Sequence, residues 1–210
     1  AGQTLDLGAS LRAAAAPGGA AAQVDIAARA IQILGAGHAA REGYVQLDAD
    51  KLNRLGAGSL LIGGQRRDRA DGVAVDVRAD SVVLDNDAGS ALRAPEITLA
   101  ATRDVRISQG SVLSAQGQLA GSSDKPLLIG EVPVQAQPGQ PGQPGRSGDG
   151  ALLRVSNAGP APVFRRNLPT LDNSQGVLAI EAGANVDGGA SLTLDAARNT
   201  LIDSQALLHG

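Results

Sequence analysis

Apolar residues recur along this chain in short alternating runs that close on alanine. The pattern apolar, any, apolar, any, Ala occurs as "LDLGA" from Leu5, "VDIAA" from Val24, "VQLDA" from Val45, "VDVRA" from Val75, "ITLAA" from Ile97, "LAIEA" from Leu178 and "LTLDA" from Leu192. A further copy, "LRVSN" from Leu153, ends on Asn157 instead. Alternation with period two turns the first and third residues to one face and the second to the other, so each run predicts a short β-strand. Several starts lie about 20 residues apart, the spacing of a repeat unit and not of isolated strands.

A second apolar alternation follows most copies, at Ile31 and Ile33, Leu52 and Leu55, Val82 and Leu84, Val105 and Ile107, and Leu201 or Ile202. Turn formers separate the two, as in "GAG", "DNDAGS", "SQGS" and "DGG". Two strands and their turns, repeated with the apolar residues on one side, predict one coil of an all-β solenoid. A lone coil cannot bury its apolar face, whereas parallel coils about 4.8 Å apart satisfy each other's backbone groups and enclose an aliphatic interior. Alanine fits the crowded corner at the end of each run, and Ala9, Ala28, Ala49, Ala79, Ala101, Ala182 and Ala196 are expected to form a column. An antiparallel sandwich shares the short alternating strands. It calls for tight hairpin turns, of which the Asp-Gly pairs at Asp71, Asp149 and Asp187 are the available examples. The Ala-rich "LRAAAAPGGAAAQ" is interrupted by Pro17, Gly18 and Gly19 and does not read as a helix.

The longest step, from Ile97 to Leu153, contains "QPGQPGQPGRSGDG", in which Gly139, Gly142, Gly145 and Gly148 fall every third residue. A collagen helix needs that register over a long span, and here it is lost at Gly150. The stretch predicts an extended excursion from the stack, stiffened by proline. Residues 1–210 are accordingly expected to form a single solenoid segment of a longer polypeptide, with a loop-rich insertion over 118–150.

Composition narrows the interior. Aromatics are 1% of the chain, Tyr44 and Phe164 alone, with no Trp, Met or Cys, so the core must be thin and built from Ala, Val, Leu and Ile. A formal charge of -3 gives no concentrated cationic surface for nucleic acid. No run approaches the roughly 20 apolar residues of a membrane-spanning helix, and the aromatic girdles of an outer-membrane barrel are missing. Absence of cysteine excludes disulfides and thiolate metal sites and is compatible with export.

Motif-like stretches predict turns. "AIQILGAGHAAREGYVQLDAD" satisfies a dinucleotide fingerprint at Gly35, Gly37 and Ala40, but only one helical turn would fit between His38 and Glu42, where the nucleotide fold needs a longer crossover. Asp85 and Asp87 in "DNDAG" lack the ligand series of a calcium loop. "GGASLTLDA" has Ser191 and Thr193 where the calcium-binding nonapeptide requires Gly and Asp. His38 and His209 are far apart in sequence, so neither a triad nor a zinc site is expected. No catalytic, cofactor or metal residue is assigned.

Two basic clusters are the candidate surface-binding residues: Arg66, Arg67 and Arg69 in "RRDR", and Arg165 with Arg166. Either suits an acidic glycan or an acidic protein surface, although Asp68 and Asp71 partly neutralise the first. The alternative is an enzyme acting on acidic polysaccharide, which would gather carboxylates and a basic residue on one face. The charges at Asp25, Asp76, Arg78, Arg103, Asp104 and Arg106 instead alternate in sign along the chain, as on a solvated surface.

The phrases "RLGAGSLLIGGQR", "LRAPEITLAATRDVRISQGSVLSAQG" and "SGDGALLRVSNAG" resemble the repetitive passenger region of filamentous-haemagglutinin-like exoproteins of Gram-negative bacteria, best from about Leu52 to Gly159. The resemblance implies a right-handed parallel β-helix, exported by an outer-membrane two-partner secretion transporter and secreted or displayed at the cell surface. It also implies a role in adhesion to a host or bacterial cell-surface glycan or protein. The Asn-Pro motifs of that family's secretion domain and an Arg-Gly-Asp tripeptide are both missing here, and the resemblance carries over no catalytic residue.

Overall fold

The computed structural model describes residues 22–119, 125–135, 142 and 145–210. The first alternating copy, at Leu5 with Ala9, the Ala-rich stretch to Gln23 apart from its last two residues, and most of the Pro-Gly triplets lie outside the described residues. The chain is all-β, with several largely parallel sheets.

Three of the sheets enclose the main core. The first contains, in spatial order, β1 (Gln23–Ile26), β4 (Ser59–Ile62), β9 (Glu96–Ala101), β13 (Ala151–Ser156) and β17 (Ser191–Ala196). The second runs β18 (Asn199–Ile202), β15 (Val177–Ile180), β10 (Asp104–Ile107), β7 (Ser81–Asp85), β2 (Ala30–Leu34) and β3 (Val45–Asp48). The third is β19 (Leu207–His209), β16 (Asn185–Asp187), β11 (Val112–Ala115) and β8 (Leu92–Ala94). Chain order cycles through them: β4, β7 and β8 occupy one level, β9, β10 and β11 the next, and β17, β18 and β19 the last.

Alternation sets the contents of the core. In the first sheet Val24, Leu60, Ile97, Val155 and Leu192 are successive register partners, and so are Ile26, Ile62, Leu99, Leu153 and Leu194. The second sheet adds the columns Ile31, Val82, Val105, Leu178 and Ile33, Leu84, Ile107, Ile180. The third adds Leu92, Leu113, Val186 and Leu208. These residues form one aliphatic cluster, most of it fully buried. The alanine corner is present where Ala101, Ala151 and Ala196 stand in register and Ala79 is fully buried beside them. Ala49 and Ala182 fall outside that corner, at the start of a helix and after β15.

The expected layout is altered in four places. Val45 and Leu178 begin strands of the second sheet, not the first. Leu52 and Leu55 belong to or follow a helix, α1 (Ala49–Arg54), where Asp48 caps by accepting the Lys51 amide at 2.8 Å. Their spacing of three suits one helix face, and both are buried. Asn53 on α1 then serves the edge of β8, donating to the Ala91 carbonyl at 2.9 Å and accepting from the Arg93 amide at 2.8 Å. Most consequential, β13 runs antiparallel to both of its neighbours, β9 and β17.

A fourth, outer sheet is formed by β5 (Gly64–Arg69), β6 (Gly72–Val77), β12 (Leu127–Ile129) and β14 (Val163–Arg165), ordered β14, β12, β6, β5. β5 and β6 are an antiparallel hairpin turned at Ala70 and Asp71, and the other pairs are parallel. Val73, Val75, Val77, Leu127, Ile129 and Val163 pack on the outward side chains Leu61, Ala100 and Leu152 of the first sheet, a second core separate from the main one. Val75 is therefore buried beneath the outer sheet and does not line the main interior.

The excursion from the stack extends past the 118–150 segment. In the second and third sheets β10 pairs directly with β15 and β11 with β16, while β12, β13 and β14 lie between them in sequence. Glycine permits the closest approach: Gly150 has φ +123°, and a Cβ there would stand 2.2 Å from the Ala101 carbonyl oxygen.

Candidate functional site

Strand alternation splits each arginine pair between the two faces of the outer sheet. Arg66 pairs with Val75 and points inward, whereas Arg67 pairs with Ala74 and points outward. Arg165 pairs with Ile129 and points inward, leaving Arg166 outside with Phe164 and Leu128.

The inward arginines join the two sheets. Arg66 donates from Nε to Asp25 at 2.7 Å, from Nη1 to Ser59 Oγ at 2.5 Å, and from Nη2 to the Val24 carbonyl at 3.1 Å. Ser59 in turn donates to Glu96 Oε1 at 2.5 Å, and Arg154 donates from Nε to Glu96 Oε2 at 2.9 Å. Burial works against the charge of Glu96, but the Arg154 charge and the bonds from Ser59, Arg154 and Ser156 outweigh it and hold this carboxyl below the usual glutamate range. Arg165 pairs with Asp195 and donates to the Gly148 carbonyl at 2.7 Å. Arg66 and Arg165 are thus structural ties, largely hidden from solvent, and not free surface cations.

The outward arginines converge. Arg67 and Arg69 from β5, Arg78 after β6, Arg146 from the segment before β13, and Arg166 after β14 line a cavity of about 330 Å³ whose floor includes Ala74, Val75 and Leu128. Among them stand Asp76 and Glu131. Asp76 is 9% exposed and ion-paired with both Arg78 and Arg146. Glu131 lies 2.8 Å from Arg67, 3.6 Å from Arg69 and 3.9 Å from Arg146. Asp71 bridges Arg69 at 3.2 Å and Arg166 at 3.6 Å. Desolvation opposes the Asp71 charge, but its own amide and these two guanidiniums outweigh it and hold the carboxyl below the usual aspartate range. Five guanidiniums face three carboxylates, leaving two positive charges in surplus.

The structure brings together Arg67, Arg69 and Arg166 from the sequence-derived candidates. It adds Arg146, Arg78 and Glu131, which sequence reasoning did not place there, and Phe164 stands just outside the cavity as the register partner of Leu128. Arg146 sits within the last Pro-Gly triplets, where it is held by the Glu131 amide bonding to its carbonyl at 2.8 Å. Gly145 and Gly148 lie against Glu131, Pro133 and Arg166, so this end of the triplet stretch packs on the outer sheet instead of standing away from it.

Elsewhere, the Gly35 to Ala40 stretch is a loop followed by the strand β3, with no helix for a dinucleotide. Asp85 and Asp87 bond protein groups: Asp85 accepts from Gln32 at 3.0 Å and stands 2.9 Å from His38 Nδ1, and Asp87 accepts from the Ser90 amide at 3.0 Å. No helix among the described residues is long and apolar enough to cross a membrane.

Comparison of the chain with protein-family models, with curated proteins and with solved structures finds no match in any of the three.

Proposed function

We propose that this chain is a right-handed parallel β-helix serving as a structural and adhesive segment of a filamentous exoprotein, exported by two-partner secretion and held at or released from a Gram-negative cell surface. The observation that carries the reading is the stack of registered aliphatic columns, Ile33, Leu84, Ile107 and Ile180 among them. Such a stack extends by adding levels without altering those already made, which is what a filament requires. The handedness, the export route and the cell-surface location rest on the sequence resemblance. Residues inserted within one level (β5 and β6) and between levels (β12 and β14) build the outer sheet on one flank, where a scaffold presents its contacts.

One observation favours the enzymatic alternative: Asp76 and Glu131 share a cavity with Arg78. Each carboxylate is bonded to arginines, and the lining has no His, Lys or Tyr to exchange a proton near neutrality. That arrangement suits holding an anion better than cleaving a glycosidic bond. The test coats beads with the purified chain and measures their retention on mammalian and bacterial cell layers, alongside product release from acidic polysaccharides. Retention with no product is expected. Turnover of a polysaccharide, or beads that wash off like uncoated ones, would overturn the adhesive reading.

A further inference from the structure

The outward row across the outer sheet is Arg67, Ala74, Leu128 and Phe164, successive register partners. It runs from a cation over a small apolar floor to an aromatic ring. Phe164 is 53% exposed, while Leu128 beside it and Ala74 one strand further are 5% exposed each. The ring of Phe164 offers an exposed aromatic face, which a sugar ring can cover with its C–H groups. The surrounding guanidiniums supply the other half of the recognition. Arginine presents a planar fork of donors that matches a carboxylate with two parallel bonds, and here Arg67 and Arg69 already approach the same carboxylate oxygen, Oε1 of Glu131.

We propose that this cleft binds the carboxylate-bearing sugar of an acidic glycan, with the ring against Phe164 and Leu128 and the carboxylate taken by Arg67, Arg69 and Arg166. A cavity of about 330 Å³ is at the low end for small-ligand sites, roughly 300–1,000 Å³, and suits one or two sugar rings more than a folded segment of protein. The two surplus positive charges provide the net attraction. Glu131 occupies the position of the ligand's carboxylate in the free protein. Exposed ion pairs of this kind contribute little, so exchanging Glu131 for a ligand carboxylate is feasible. Binding at one cleft is then weak, and a filament gains strength by presenting many.

The proposal deepens the adhesive reading, and the two can fail separately. Beads retained on cells without glycan binding leave the adhesive segment standing and remove this ligand; glycan binding without retention does the reverse. Calorimetry on the whole chain would compare polygalacturonate fragments and sialic-acid oligomers, which carry carboxylates and no sulfate, with dextran sulfate and neutral dextran. Binding to at least one carboxylated series is expected, weakening as salt rises, with preference between the two identifying the sugar type. Arg67→Ala, Arg69→Ala and Phe164→Ala should each weaken it about tenfold or more, while Arg106→Ala on the second sheet leaves it unchanged. Glu131→Gln should tighten it several-fold, a change of sign that misfolding cannot produce. No binding to either carboxylated series, tighter binding to dextran sulfate than to both, or a Glu131→Gln variant that binds no better than the parent would each overturn the proposal.

Discussion

Arg154, only 1% exposed, donates from Nε to Glu96 Oε2 at 2.9 Å across two strands that run in opposite directions. The bond joins the inserted strand β13 to its neighbour on the face covered by the outer sheet, and Ser156, the register partner of Glu96, adds a bond at 3.2 Å. Reversal of β13 is harmless to the core because its alternation is the same read from either end: Val155 meets Ile97 and Leu153 meets Leu99. The insertion therefore occupies a level of the first sheet while the chain continues past it in the other two.

Removing one member of this pair strands the other. Glu96→Leu or Arg154→Met is expected to lower unfolding stability by about 3–5 kcal/mol, whereas the double variant Glu96→Leu with Arg154→Met should lose less than either single change. Denaturant unfolding measures all three, and additive losses would contradict a direct pair. Because the Glu96 carboxyl lies below its ordinary value, its contribution is present above the unfolded glutamate range and is lost as pH falls through the folded pKa. A Glu96→Gln variant should accordingly show a shallower acid limb.

His38 gives pH dependence of the opposite sign. Its bond to Asp85 raises the imidazole pKa above 6.5, burial opposes this, and Asp85 and Asp87 charges add to it. The loop between β2 and β3 is thus held to β7 most firmly when His38 is protonated. A raised folded pKa means that the stabilisation is complete below the unfolded value and disappears as pH rises through the folded one. Amide exchange in residues 35–44 should quicken, beyond its intrinsic pH effect, as pH rises from the ordinary histidine range through the raised folded pKa. His38→Gln should remove that step, and a step that persists would place the titration elsewhere.

Sequence made the second sheet legible and the outer one not. Ile31 and Ile33, Val82 and Leu84, and Val105 and Ile107 alternate and do stack, since nothing but the neighbouring level is available to bury them. Val75 shows the same alternation yet serves a different core, because period two reports that one face is buried and not what covers it. The direction of β13 was hidden for the reason given above. In the candidate site, the clusters in "RRDR" and at Arg165 with Arg166 look like single surface patches in the sequence; on strands their neighbouring residues divide, one in and one out. The Asp-Gly pair at Asp71 marks that hairpin in the sequence only to within a residue, since the turn itself is Ala70 and Asp71, and Gly72 already pairs with Arg69. Arg146 had no such signal, since its place depends on a chain reversal distant in sequence from β5.

Core columns should dominate stability. Ile97, fully buried between Leu60 and Val155, is expected to cost about 2–5 kcal/mol as Ile97→Ala. Asp76→Asn is no longer the silent outward change that alternation alone suggests, because Asp76 holds both Arg78 and Arg146. It should cost on the order of 1 kcal/mol, discounted for the partial exposure of both arginines. Thermal unfolding of the two variants checks the order, and an equal loss would mean that the columns are not the main store of stability.

The Pro-Gly triplets supply the final test. Proline lacks an amide to give to a ladder, so replacing residues 136–144 by a Gly-Ser linker of the same length should leave the thermal midpoint within about 2–4 °C. Extending the replacement through residue 148 has a different expectation. It removes Arg146, which pairs with Asp76 and whose carbonyl accepts the Glu131 amide at 2.8 Å. It also puts a side chain in place of Gly148 at some linker positions, where a Cβ would stand 2.3 Å from the Arg166 carbonyl oxygen and 2.9 Å from that of Ile129. A linker written to keep Gly at 145 and 148 separates these causes: it should restore the packing and not the ion pairs. The midpoint is therefore expected to fall most for the linker with Ser at both positions, less for the one retaining both glycines, and least for the 136–144 replacement. Equal midpoints for all three would show that nothing in this stretch bears on the outer sheet, and the arginine cleft would then lack one of its walls.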